Sequence, residues 1–242
     1  MALTKVIGSG VGELTNKVGL GLSSPAAALH VQTSTDGTGL SGDDIYVARF
    51  HNQEATSDRS FGVDIQAGSS TTDQALRIKD HDGTNTLMIV DGLGHITKPK
   101  QSAFNGILSG HVTITSLNTY QYMIFGTERF DQNADFNNST GVFTAPVTGR
   151  YLLTTSLYLF NSLDSAATYY YLAIQTTNET VDVYFETSNF LNADTNGFNF
   201  QASSIQDMDA GDTAKVGIYQ SGGSAQTQVA GGHSHFSGAL IC

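Results

Sequence analysis

Tryptophan is absent from this chain of 242 residues, and cysteine occurs once, as the final residue, Cys242. A single thiol forms no disulfide within the chain, so stability has to come from packing and from association with other copies. Basic residues are scarce: 11 Lys and Arg against 22 Asp and Glu give a formal charge of -11. A phosphate-binding surface needs clustered Lys and Arg, and the few present are scattered, which argues against nucleic acid as a partner and against anionic lipid. No stretch approaches the ~20 apolar residues of a membrane-spanning helix, so no membrane insertion is expected. Residues 1–10 lack the apolar run of a secretory signal, so synthesis in a cytoplasm is expected. Proline occurs only three times.

Against these absences stand 26 glycines, 10 tyrosines and 13 phenylalanines, with hydrophobic residues at 39%. That composition carries enough apolar surface for a core. Gly, Thr, Ser, Asn, Tyr and Phe together read as many short strands joined by tight turns, an all-β chain.

Three regions are expected: a leader over 1–24, a β-rich region over 25–98 and a larger β domain over 99–242. In the first, Gly8, Gly10, Gly12, Gly19 and Gly21 interrupt the scattered apolar residues and weaken any helix. In the second, short β-like runs occur at 28–31, 45–50, 61–65, 75–78 and 86–90. The last two flank a polar turn, Asp80-His81-Asp82-Gly83-Thr84-Asn85, which signals a hairpin. Calcium loops need more oxygen ligands in a fixed pattern, so a polar turn is the reading of this segment. Lys98-Pro99-Lys100 marks the boundary, because proline interrupts a sheet ladder and the flanking charges suit a solvated linker. These strands are too few for a self-sufficient barrel; three chains sharing a core solve that.

The third region is a dense series of strands, with runs at 150–160, 168–175, 181–185, 197–205, 214–220 and 236–241. The first is long, apolar and rich in β-formers, as a central sandwich strand would be. Two packed antiparallel sheets in a jelly roll are expected.

Two resemblances sharpen this reading. Residues 18–31, from Val18-Gly19-Leu20-Gly21 through Pro25 to Leu29-His30-Val31, resemble a segment that recurs in phage tail-fibre shafts. Residues 89–97, with Asp91-Gly92 and Gly94, resemble the hairpin that often closes such a unit. In the third region, Phe125, Asp131, Phe136, Phe143, Gly149 and Tyr151 follow the spacing of the C1q-domain signature, although Leu153 and Thr155 depart from its later aromatic positions. Met208-Asp209-Ala210-Gly211-Asp212 resembles that family's turn, and Phe236-Ser237-Gly238-Ala239-Leu240 its closing strand. The resemblances imply a homotrimer, since C1q and tumour necrosis factor heads and phage fibres are trimeric. They imply a virion fibre (tail fibre) protein, bound to other virion structural proteins through its N-terminus and to a host-surface glycan or protein through its head. It would leave the host cytoplasm by lysis, without a signal peptide. A capsid-decorating structural fibre without a receptor role, and a lectin-like or carbohydrate-active fibre, are the alternatives.

The candidate site residues are His233 and His235. On a strand they share one face, opposite Phe236, Gly238 and Leu240, which are expected to face the core. In the resembled family that other face turns toward the three-fold axis, where six imidazoles from three chains would suit a transition metal. Tyr169-Tyr170-Tyr171 puts Tyr170 on one sheet face and its neighbours on the other. Gly149 is expected to permit the turn before the longest strand. Recognition loops are expected at 161–167, 192–197 and 221–232, because loops at one sandwich end carry binding. Asn137, Asn138 and Asn178 stand in glycosylation sequons, but without a secretory signal glycosylation is not expected. No G-x-S-x-G, H-E-x-x-H or paired-Cys motif occurs, and no enzyme is expected.

Overall fold

A computed structural model describes residues 63–160, 163–187 and 191–242, Ser57, and the backbone of Val18–Leu20 and Leu29–Val31. The run expected as a strand at 45–50, Phe61 and Gly62 lie outside the described residues. The chain forms two compact units, Met1–Gln66 and Ala67–Cys242. Residues 67–98, read from sequence as part of the shaft, therefore share a unit with the larger β domain.

In the first unit, β1 (Val18–Leu20) pairs in parallel with β2 (Leu29–Val31), Gly19 opposite His30. Both strands lie in the segment that resembles fibre shafts. In the second unit, β3 (Gln74–Lys79) and β4 (Thr86–Asp91) form the expected antiparallel hairpin, and β5 (Ile96–Thr97) adds to β4. The polar turn between β3 and β4 is closed by Asp80, whose carboxylate accepts the Asn85 side-chain N–H at 2.6 Å and the Asn85 backbone N–H at 3.0 Å. Asp82 accepts the Thr84 N–H at 2.8 Å. The alternation at 63–65 forms no strand. Alternation marks a half-buried strand only where a neighbouring strand is there to pair with it.

Residues 98–101 make a turn in which the Gln101 N–H donates to the Lys98 carbonyl at 3.0 Å. Gln132 and Asn133 side chains donate to the Lys98 and Lys100 carbonyls, both at 2.8 Å. The expected linker is thus fastened to the β domain that follows it.

That domain is a sandwich of two antiparallel sheets. One carries β6 (Ala103–Ile107), β7 (Val112–Thr113), β9 (Thr127–Asp131), β12 (Gly149–Phe160), β15 (Phe198–Met208), β17 (Gln228–Val229) and β18 (His235–Leu240). The other carries β8 (Tyr120–Tyr122), β10 (Phe136–Asn137), β11 (Val142–Thr144), β13 (Ala167–Thr176), β14 (Thr180–Glu186) and β16 (Thr213–Gly222). The principal strands run β6-β18-β12-β15 in one sheet and β11-β16-β13-β14 in the other. The first and last strands of the domain are neighbours, and most connections cross between the sheets, which is jelly-roll order. The expected runs all form strands, and the run at 150–160 is central, with β15 on one side and β18 on the other.

The residues of the C1q-like spacing meet in one place. Phe104 stacks on Phe136 at 4.8 Å and on Phe143 at 4.7 Å, while Phe236 meets Phe104 edge-on at 5.0 Å. Phe125 and Tyr151 complete this buried cluster. Each such ring removes ~150–250 Å² from water, so the cluster supplies a large share of the buried apolar surface. Asp131 supports it from outside: its carboxylate accepts the Asp135 and Phe136 N–H groups and so sets the turn that delivers Phe136. The buried Tyr151 donates its hydroxyl to the Val147 carbonyl at 2.7 Å, fixing the turn before β12. Gly149 differs from expectation. It does not adopt a left-handed φ. Its role is close approach, since a Cβ there would stand 2.7 Å from the Cys242 carbonyl oxygen.

Candidate functional site

The outer face of the β6-β18-β12-β15 sheet is ordered in rows that cross the strands. Ile205, Leu152, Ala239 and Ala103 are successive cross-strand partners and form an apolar row. Ser203, Thr154, Ser237 and Asn105 form the next, with Phe130 of β9 beside Asn105. Thr154 and Ser237 share a hydroxyl hydrogen bond of 3.0 Å. Gln201, Ser156, His235 and Ile107 form the third row. Ile205 is 60% exposed, Phe130 53% and Leu152 37%. A shallow hollow of about 290 Å³ lies among Asn105, Phe130, Leu152, Thr154 and Ala239. Large apolar side chains that share one flat face in this way mark a contact surface.

His235 therefore lies on this outer face, opposite Phe236 and Gly238, which point into the core, as the strand alternation predicts. Leu240 is only partly buried but packs against the core. Burial, with a smaller effect of the Arg129 charge, holds the His235 pKa below its ordinary value, so the ring is neutral at neutral pH. His233 sits in the turn before the strand, exposed, its ring 5.8 Å from Tyr158 in an edge-on contact. Tyr158 lies one outward position beyond Ser156 along β12, so both histidines border the same face. Among the described residues of one chain, no three His, Cys, Asp or Glu are grouped to hold a metal ion.

The three expected loops come together at one end of the sandwich. Leu163 and Thr195 exchange backbone hydrogen bonds. The buried carboxylate of Asp164 accepts the Ala166 N–H at 2.8 Å and the Ser224 N–H. Asp194 accepts the backbone and hydroxyl of Ser165, at 2.9 and 2.8 Å, and the Gln226 amide at 2.7 Å. The bonds from Ser165 and then Gln226 hold the Asp194 carboxyl below the usual range. Beneath them the Tyr170 hydroxyl meets Thr227 Oγ1 at 2.9 Å, and burial pushes its pKa up to about 12. Each loop is thereby fixed to the other two. Asn161 lies outside the described residues.

Tyr170 is buried, while Tyr169 and Tyr171 point outward. The linear sequence did not show the company they keep. Tyr120 and Tyr122 of β8, Tyr184 of β14 and Tyr219 of β16 reach the same outer face of the second sheet. Tyr169 stacks on Tyr219 at 5.9 Å and 6°, Tyr171 meets Tyr184 at 5.2 Å, and Tyr120 meets Tyr219 at 5.4 Å. The signal available in sequence was the repeated Tyr-x-Tyr at 120–122 and 169–171; the pairing of four strands that joins them was not readable.

No protein-family model matches the sequence, and no curated protein matches it. Among solved structures, the chain is similar to the globular domain of zebrafish complement 1qA protein, with 21% identity over 59% of this chain and 98% of that one, at a TM-score of 0.43. It is also similar to murine APRIL, with 10% identity over 59% of this chain and 100% of that one, at a TM-score of 0.42. The jelly-roll assignment above rests on the strand order of the chain itself.

Proposed function

We propose that three copies of this chain form a virion fibre whose jelly-roll head binds a host-surface glycan or protein. The observation that carries the binding role is the convergence of the loops at 161–167, 192–197 and 221–232, locked together by Asp164 and Asp194. Loops held rigid before binding lose little entropy when a partner arrives, which is what a recognition surface needs. The trimer is supported by the exposed apolar row on the opposite sheet, Ile205 and Leu152 above all, whose burial between copies would remove that surface from water. The virion assignment is supported by the shaft-like segments at 18–31 and 89–97. In this reading the leader over 1–24 joins other virion proteins, 25–98 forms the shaft and 99–242 the head.

The same arrangement would bring His233 and His235 of three copies around one axis. A neutral His235 offers a free nitrogen lone pair there, and a transition ion is the proposed ligand. Metal analysis of the purified trimer tests this; a trimer without a stoichiometric transition metal removes the ion from the account.

The binding role is tested by adding the purified full chain to host cells before virus. The expected result is saturable cell binding and slower adsorption, both lost when Asp164→Ala loosens the loops. Antibody against the chain should decorate fibre tips in electron micrographs. A chain that neither binds cells nor slows adsorption contradicts the proposal.

A further inference from the structure

We propose that the outer face of the β8-β16-β13-β14 sheet, paved by Tyr120, Tyr122, Tyr169, Tyr171, Tyr184 and Tyr219, is a binding platform for a neutral hexose glycan. This site lies on the sheet face and borders the loop end only where Tyr169 pairs with Ser221, and its test does not depend on the fibre reading.

The platform is built flat by small residues beneath it. Gly217 lies under two of the rings: a Cβ at that position would be 3.2 Å from the Tyr122 ring and 3.3 Å from Tyr120. Ala173, the neighbour of Gly217 across the ladder, is buried on the same side. The rings of Tyr120 and Tyr122 therefore lie along the sheet, spanning strands. Their far ends are pinned, Tyr120 donating to Asp182 at 2.7 Å and Tyr122 to Gln175 at 2.6 Å. Rings fixed in this way have already lost the freedom that binding would otherwise remove. Tyr184 is 50% exposed and Tyr122 39%, so the surface is open to solvent. Two rings on adjacent strands suffice to support a sheet; six in contact on a solvent face form an aromatic patch of the kind that marks an interaction site.

Charge selects the class of ligand. Asp182 and Glu186 of β14 stand at the edge of the rings. Lys215 is engaged within the platform, its Nζ 3.8 Å from the centre of the Tyr122 ring. A sialylated, sulfated or phosphorylated ligand would meet these carboxylates in a chain of net charge -11. Burial, together with neighbouring acids, raises the phenol pKa of Tyr120 and Tyr184, so the hydroxyls stay protonated. A hexose matches these features: its C–H face covers a ring, its hydroxyls donate to carboxylate, and one accepts from the Tyr184 phenol, the Tyr120 and Tyr122 protons being already given to Asp182 and Gln175.

The absence of tryptophan supplies the readout, because the intrinsic fluorescence of the full chain comes from tyrosine. The chain is titrated with cellohexaose, maltohexaose, laminarihexaose and mannohexaose, with sialyllactose and choline as comparators. At least one neutral glycan should change the emission saturably, and neither comparator should. Tyr184→Ala should weaken that binding by about tenfold, and Tyr184→Phe, which keeps the ring, by less. Both variants should keep the circular dichroism spectrum and oligomeric mass of the parent. No response to any neutral glycan, equal binding by Tyr184→Ala, or saturation by choline or sialyllactose instead would overturn the proposal.

Discussion

Phe104 and Gly238 face each other across the β6-β18 ladder, and a Cβ on Gly238 would stand 2.7 Å from Phe104 Cε1. Two residues along the ladder, Gly106 is paired with Phe236. A Cβ on Gly106 would stand 2.7 Å from the Phe136 ring. Phe104 thus fills the space left by Gly238 on the partner strand, Phe136 of the other sheet fills the space left by Gly106, and the stack of Phe104 with Phe136 and Phe143 is built on that room. Gly238→Ala should cost about 1–3 kcal/mol through overpacking. Phe104→Ala should cost about 3–5 kcal/mol through the cavity it leaves. Denaturant unfolding of both variants checks the pair, and a Gly238→Ala protein as stable as the parent contradicts the fit.

At the loop end, removing a partner from the fixed network should cost more than removing a single bond. Tyr170→Phe removes a hydroxyl that meets Thr227 Oγ1 and accepts the Asp164 N–H, but that N–H keeps Thr227 Oγ1 as an acceptor, so the loss should be about 0.5–1.5 kcal/mol. Asp164→Ala leaves the Ala166 and Ser224 N–H groups without their acceptor, at about 1–3 kcal/mol each. Hydrogen exchange should show those two amides losing protection first. Unchanged protection in Asp164→Ala would show that the carboxylate does not hold the loops.

Acid should weaken the face that carries His235. The folded pKa lies below the ordinary value of 6.5 because burial, and then Arg129, disfavour the charged ring. The unfolded chain therefore binds this proton first, so stability is full above about pH 6.5 and falls as pH drops toward the folded pKa. His235→Gln should remove that part of the pH dependence. Thermal unfolding between pH 7.5 and 5 reads it out, and identical profiles for parent and variant would contradict the assignment.

Most of the fold was legible because its signals are local. Alternation and turn residues place β12 to β16 and β18 to within a few residues, and the spacing from Phe125 to Tyr151 is readable because each residue has a fixed task in one core cluster. Residues 63–65 show the limit of the same reasoning, since alternation without a paired neighbour makes no strand. The loop segments were identifiable as loops, but not the carboxylates of Asp164 and Asp194 that bind them, because those partners lie 60 and 29–32 residues away. The tyrosine platform was hidden for a related reason. Its rings come from four strands, and only the ladder registers place Tyr122 over Gly217 and Tyr184 beside Tyr171.

In the proposed trimer, copies of this chain associate through the outer face that carries Leu152 and Ile205, cross-strand partners in the apolar row. Sedimentation equilibrium of the full chain, beside Ile205→Arg, reads this association out. The expected result is a mass of three chains for the parent and a smaller mass, with the fold retained, for the variant. A parent that sediments as a single chain at all concentrations, or a variant that remains a trimer, would contradict it.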